Sequence, residues 1–178
     1  MTRITFAALF SLLVSGLSVN VALAQDTDAD ERPILTLMFP DADDNITLTE
    51  EDLLAYDQVI VRTENEFVDG MAEFSGPLVR DVLKLFDGPE GAESDDDMAY
   101  DEDRVYIMTA VNEYSVEIPA EDFVKYDVIF AMSQDYEKFS LRTKGPIWVI
   151  YPMSDHAEIR DRILNDRLIW QLASVKIK

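Results

Sequence analysis

Apolar residues fall along this chain in short runs separated by polar or acidic segments, the pattern of many short elements rather than a few long helices. Ile34-Leu35-Thr36-Leu37-Met38-Phe39 predicts a buried strand, ended by Pro40 and the polar "DADDN". "ITLTEEDLLAY" predicts a short helix, with Thr49 as N-cap and Asp52 three residues on in a capping-box arrangement. "QVIVRT" is a β-branched strand, and Met71 to Phe74 a further short strand after the Asp69-Gly70 turn. "SGPLVRDVLKLF" predicts a helix capped by Ser75 and Gly76, with Pro77 in its first position and Leu78, Val82 and Leu85 on its buried face. Val79, Leu83 and Phe86 widen that face and leave Arg80, Asp81 and Lys84 outward.

"RVYIMTA" and "EYSVEI" predict a hairpin through Val111-Asn112, and "PAEDFVKY" a short helix opening on Pro119. "DVIFAMS" and "FSLRT" predict a second hairpin around Gln134-Asp135. After the Gly145-Pro146 turn, the strand Ile147 to Tyr151 is apolar on both faces and reads as central. A polar helix between Asp155 and Arg167 and a last strand within Leu168 to Ile177 complete the chain. There is no internal repeat and no sign of a second domain, so the pattern predicts one compact α+β domain of mixed β-structure with a few short helices.

The first residues are of a different kind. Arg3 precedes an apolar run from Ile4 to Val19 that ends at Ala22-Leu23-Ala24, and acidic residues begin at Asp26. That reads as a secretory signal peptide over residues 1–24, followed by an acidic leader over 25–33 and the domain over 34–178. The expected location is therefore periplasmic or secreted, with no membrane insertion after cleavage. All 36 acidic residues lie beyond the signal segment, against 14 Lys and Arg once Arg3 is removed, a formal charge of −22. Such a field repels nucleic acid and anionic lipid. Cysteine is absent, which excludes disulfides, thiolate nucleophiles and thiolate-bound metal.

Several local patterns have a structural explanation beside a functional one. "DADDNITLTEED" places Asp41, Asp43 and Asn45 as calcium ligands would stand, but Ile46 replaces the turn glycine and Asp52 the final glutamate. The Thr49 cap accounts for the same residues. The acidic stretch 87–103, "DGPEGAESDDDMAYDED", reads as a solvated loop. His156, the only histidine, reads as the start of the polar helix, so no catalytic or metal-binding residue is assigned. Asn112 suits the hairpin turn, and Tyr114 follows it. The cations Arg62, Arg80, Arg142 and Lys144 are candidates for gripping an anion, with ion pairing among abundant carboxylates as the alternative.

The order "GPLVRDVL", "VNEYSVEIP", "GPIWVIYP" and "LIWQLASVKI" over most of residues 34 to 177 resembles the molybdopterin-binding oxidoreductase domain of the sulfite oxidase type, in particular its small exported bacterial relatives. These segments are similar to the family's "LRDVL", its "G-P-L-R-x-V-x-P" strand and its closing "VKWL". The resemblance implies a curved β-structure with a cofactor groove at its loops. In active members a cysteine after the strand matching Gln58–Thr63 ligates molybdenum. Here that stretch holds Arg62, Thr63, Glu64 and Asn65. Basic side chains hold the family's pterin phosphate, and the candidates here are Arg62, Arg80, Arg142 and Lys144. The expected function is a cofactor-free sensory or accessory module that binds a small anionic ligand or a periplasmic or membrane-anchored partner protein through Arg62, Arg80, Asn112, Tyr114, Arg142 and Lys144. The alternatives are an active periplasmic oxidoreductase with molybdopterin as cofactor, and a structural protein whose groove is vestigial.

Overall fold

The computed structural model describes residues 32–40, 45–87, 104–160 and 165–178. The signal segment, the first acidic residues of the calcium-like motif and nearly all of the acidic loop lie outside the described residues. Leu35–Met38 (β1) buries Leu35 and Leu37 and exposes Met38. It pairs antiparallel with Ile46–Leu48 (β2), three residues that sequence patterning runs into the following helix. That helix, Glu50–Leu54 (α1), starts on the expected signal. Thr49 Oγ1 accepts from the Asp52 N–H at 3.2 Å, and Asp52 Oδ2 accepts from the Thr49 N–H at 2.8 Å.

Gln58–Thr63 (β3) and Ala72–Pro77 (β4) pair antiparallel along their whole length. Ser75, Gly76 and Pro77 are thus the end of a strand, not the cap and first turn of a helix. A Cβ on Gly76 would lie 1.9 Å from the Phe130 carbonyl oxygen, so close approach of two backbones accounts for this glycine. The helix is shorter than expected, Val79–Leu83 (α2), and runs on as a 3-10 turn over Lys84–Asp87. Val79, Val82, Leu83 and Phe86 form its buried face, while Leu78 and Leu85 are only half-buried.

Val105–Ala110 (β5) and Ser115–Pro119 (β6) form the expected hairpin. Its turn is wider than Val111-Asn112. Glu113, at φ 68°, takes the left-handed position, and Asn112 Oδ1 accepts from the Tyr114 N–H at 3.1 Å. Ala120–Lys125 (α3) follows Pro119 directly. Ile129–Ala131 (β7) leads into a second hairpin, Ser133–Gln134 (β8) and Glu137–Lys138 (β9), turning at Asp135 and Tyr136. Residues 139–143 are not a strand. Ser140 and Thr143 side chains bond locally, with Thr143 Oγ1 accepting from the Ser140 N–H at 3.2 Å, and so divert the backbone from a ladder.

Trp148–Ile150 (β10) pairs with β7, and on its other side Trp148 bridges to Trp170. Every residue from Ile147 to Tyr151 is buried, as expected of a strand covered on both faces. Of the polar helix expected between Asp155 and Arg167, the structure describes a 3-10 turn at Ala157–Ile159 and helical backbone at Asn165, and the stretch between them, residues 161–164, lies outside the described residues. His156 precedes that turn and sets its ring edge-on to Tyr126, with centroids 5.0 Å apart. Leu172–Ile177 (β11) lies between β1, which it joins in parallel, and β5, which it joins antiparallel.

The result is a single mixed α+β domain, mostly sheet, with short helices. A five-stranded sheet ordered β2-β1-β11-β5-β6, a four-stranded sheet ordered β3-β4-β8-β9 and the β10-β7 pair share one core. Among the described residues no helix is long and apolar enough to cross a membrane. Buried Asp122 on α3 ties the elements together, accepting through Oδ2 from the Tyr151 hydroxyl at 2.7 Å and from the Arg167 guanidinium.

Candidate functional site

The loop leaving β3 is pinned at its start. Buried Thr63 Oγ1 accepts from the Ser154 N–H at 3.1 Å, and Ser154 Oγ accepts from the Glu64 N–H at 3.0 Å. Asn65 then turns the chain, its Oδ1 accepting from the Phe67 N–H at 2.9 Å, a local bond of the Asx-turn kind. That bond fixes the orientation of the amide. It leaves Nδ2 buried with no hydrogen-bond partner among the described residues. Asn65 lines a depression of about 240 Å³ together with Glu64, Glu66, Met153, Arg160 and Asn165. Arg160 is held there by carbonyl oxygens, Nε donating to Met153 at 2.9 Å and Nη2 to Ser154 at 3.3 Å.

Asn165 also lines a second depression, of about 210 Å³, whose walls include Phe67, Asn112, Tyr114, Asp166 and Trp170. Phe67 meets Trp170 edge-to-face with centroids 4.9 Å apart, and the Tyr114 hydroxyl donates to the Asp166 carbonyl at 3.1 Å. Trp170 in turn borders a third and larger depression, of about 750 Å³, with Phe139, Thr143 and Lys144. Lys144 Nζ donates to the Phe67 carbonyl at 2.7 Å and stands 3.9 Å above the centroid of the buried Trp148 ring. Burial lowers its pKa from the ordinary lysine value. Three adjoining depressions thus follow the loops, with side-chain donors at both ends and aromatic rings in the middle.

Three of the six residues singled out in the sequence, Asn112, Tyr114 and Lys144, line these depressions. Arg142 is exposed on the turn just before Lys144. The other two are engaged elsewhere: Arg62 with Glu73 at 2.8 Å, and Arg80 with Asp127 at 2.7 Å and the Phe123 carbonyl at 3.4 Å. Asn65, Arg160, Asn165 and Trp170 carry the geometry and were not singled out. Asn65 had a faint signal as an amide in a polar loop just after a strand. Arg160 had none.

The resemblance to molybdopterin enzymes can be tested on these residues. Where a thiolate would be needed, after β3, the chain offers the Glu64 carboxylate and the Asn65 amide, and it has no cysteine at all. The cations proposed for a pterin phosphate do not come together in one of the three depressions, and two of them are committed to carboxylates. The residues present do not fit molybdopterin held in the family's manner, and no redox step is derived. Among the described residues no cluster of three or more His, Cys, Asp or Glu side chains is arranged to hold a metal ion. Neither protein-family models nor curated protein sequences match this chain.

Proposed function

We propose that the chain is an exported, cofactor-free binding module built on a fold like that of the sulfite oxidase-type molybdopterin domain, and that its groove takes a small anionic ligand. The observation that carries this reading is Asn65, which lines a depression together with Arg160 and keeps a buried Nδ2 donor with no partner among the described residues. A buried donor left unmatched costs about 1–3 kcal/mol, which an acceptor oxygen entering the depression would offset. A carboxylate, phosphate or sulfate group suits an amide N–H beside a guanidinium. Lys144, at the far end, is held by a carbonyl and rings, so its charge too is open to an anion. The aromatic middle gives a ligand an apolar body between these ends.

The test follows the Asn65 side-chain amide by NMR during titration with sulfate, phosphate and short dicarboxylates. Its resonances should move in a saturable way with at least one of them, and Arg160→Gln should weaken that response while the Asn112 amide stays unmoved. Silence of the Asn65 amide with every probe at concentrations well above about 1 mM, where even weak complexes of about −4 kcal/mol fill, defeats the anion reading. The cofactor-free part is checked separately. Protein purified from a molybdopterin-competent host should begin near Gln25 and carry neither molybdenum nor pterin in stoichiometric amount. Stoichiometric molybdenum would promote the oxidoreductase.

A further inference from the structure

Among the described residues no strand pairs with the outer edge of β3, and the hydrogen bonds around it show which groups it presents. Ser75 O accepts from the Met132 N–H at 2.8 Å and Glu73 O from the Asp135 N–H at 2.7 Å, so these two β4 residues turn their backbone toward β8. Alternation then turns Ala72, Phe74 and Gly76 toward β3, where they face Thr63, Val61 and Val59. The backbone N–H and C=O groups of Gln58, Ile60 and Arg62 therefore point away from the sheet. Their side chains are exposed as well, Ile60 at 56%.

Proteins usually guard such an edge by brevity, charge, proline or a bulge. The other edges of the two larger sheets are guarded. β2 and β9 have three and two residues, and β6 ends on Pro119 and exposes Glu117. β3 has six residues in unbroken register, no proline, and one charge, Arg62, which Glu73 already balances.

We propose that β3 is a self-docking edge, through which two copies of this chain pair antiparallel about a two-fold axis at Ile60. In that register Ile60 faces Ile60 of the second copy, and Gln58 faces Arg62 in both directions. Three outward-facing residues per strand then form about six backbone hydrogen bonds. An apolar pair occupies the axis, no like charges stand directly opposite, and the apolar face of each β3 stays on its own core. "QVIVRT" holds no acidic residue in a chain with 36 of them, so the paired strands themselves bring no carboxylates face to face. A single strand pair is a small contact beside standard interfaces of roughly 1,200–2,000 Å². Association is accordingly weak at low salt and strengthens with ionic strength, as the overall charge is screened.

The absence of cysteine makes the test clean. Ile60→Cys gives a chain with one thiol, placed at the axis. Tyr136→Cys places one thiol at the tip of the β8–β9 hairpin, where Tyr136 is more exposed still. Under mild oxidation the Ile60→Cys variant should form disulfide dimer at least tenfold faster than the Tyr136→Cys variant. Sedimentation of the unaltered protein should show a mass average that rises from monomer toward dimer with added salt, and Ile60→Lys should hold it at monomer with an unchanged circular dichroism spectrum. Equal cross-linking of the two thiols, a monomer at every salt concentration, or a dimer indifferent to Ile60→Lys would each overturn the proposal. A dimer of the last kind would assign the contact to another surface.

Discussion

Among single residues, the Asp122 knot shows how a buried charge is kept. Its carboxylate receives the Tyr151 hydroxyl and the Arg167 guanidinium, linking α3 to the strand that β10 begins and to the segment before β11. Hydrogen bonds to a charged acceptor contribute about 1.5–3 kcal/mol, so Tyr151→Phe should lower stability by that order at neutral pH. The same tyrosine sets an alkaline limit. Burial, and then the neighbouring Asp122 charge, raise its pKa well above 10.0. The unfolded chain therefore releases this proton first as pH rises. The tyrosine's contribution is complete below the unfolded value and is lost progressively between that value and the folded one. Denaturant midpoints measured from neutral pH to above pH 10 should fall for the unaltered protein and fall less for Tyr151→Phe. Parallel curves would show that Tyr151 ionises as freely folded as unfolded.

Among the elements, α2 makes a direct comparison possible. Val82 is fully buried, whereas Lys84 is partly exposed and pairs with Asp81 at 3.5 Å. Val82→Asp buries an unpaired carboxylate, a change that costs more than about 4 kcal/mol. Lys84→Ala buries no charge and removes a partly exposed side chain with its Asp81 pair, a much smaller loss. Loss of folded protein with the first and a nearly unchanged thermal midpoint with the second is the expected outcome. Elements specified by neighbours in sequence were legible: the Thr49 cap with Asp52, the alternation that builds the β5–β6 hairpin, and the doubly apolar Ile147–Tyr151 strand. Those decided at long range were not. Ser75-Gly76-Pro77 has the chemistry of a helix start, but its glycine answers to the Phe130 backbone, a contact no local pattern reveals. The groove was hidden for the same reason. Lys144 reads as one more cation until the Phe67 carbonyl arrives from 77 residues away. The Asn65 amide N–H that has no partner among the described residues arises only on folding, when Ser154 and Arg160 are brought beside it from about 90 residues away.

For the molecule as a whole, β11 takes a central place in the five-stranded sheet, with β1 from the start of the domain on one side and β5 on the other. Leu172 and Val175 on this strand are fully buried. A chain shortened after Gln171 loses both neighbours' ladders and should be degraded by a non-specific protease as quickly as an unfolded polypeptide, whereas the full chain resists. Survival of the shortened form would mean that β1 and β5 can close on each other. The placement of β11 also governs timing. A ribosome delivers β1, β2, β5 and β6 well before Leu172, and until then the two halves of the sheet have no strand to join them. Parallel pairing between distant segments is slow to form, and here it cannot begin until residues 172–177 are made. The hairpins can close as they emerge, but the five-stranded sheet stays in two pieces until β11 is made, so the core between its halves is the last part of the domain to be sealed.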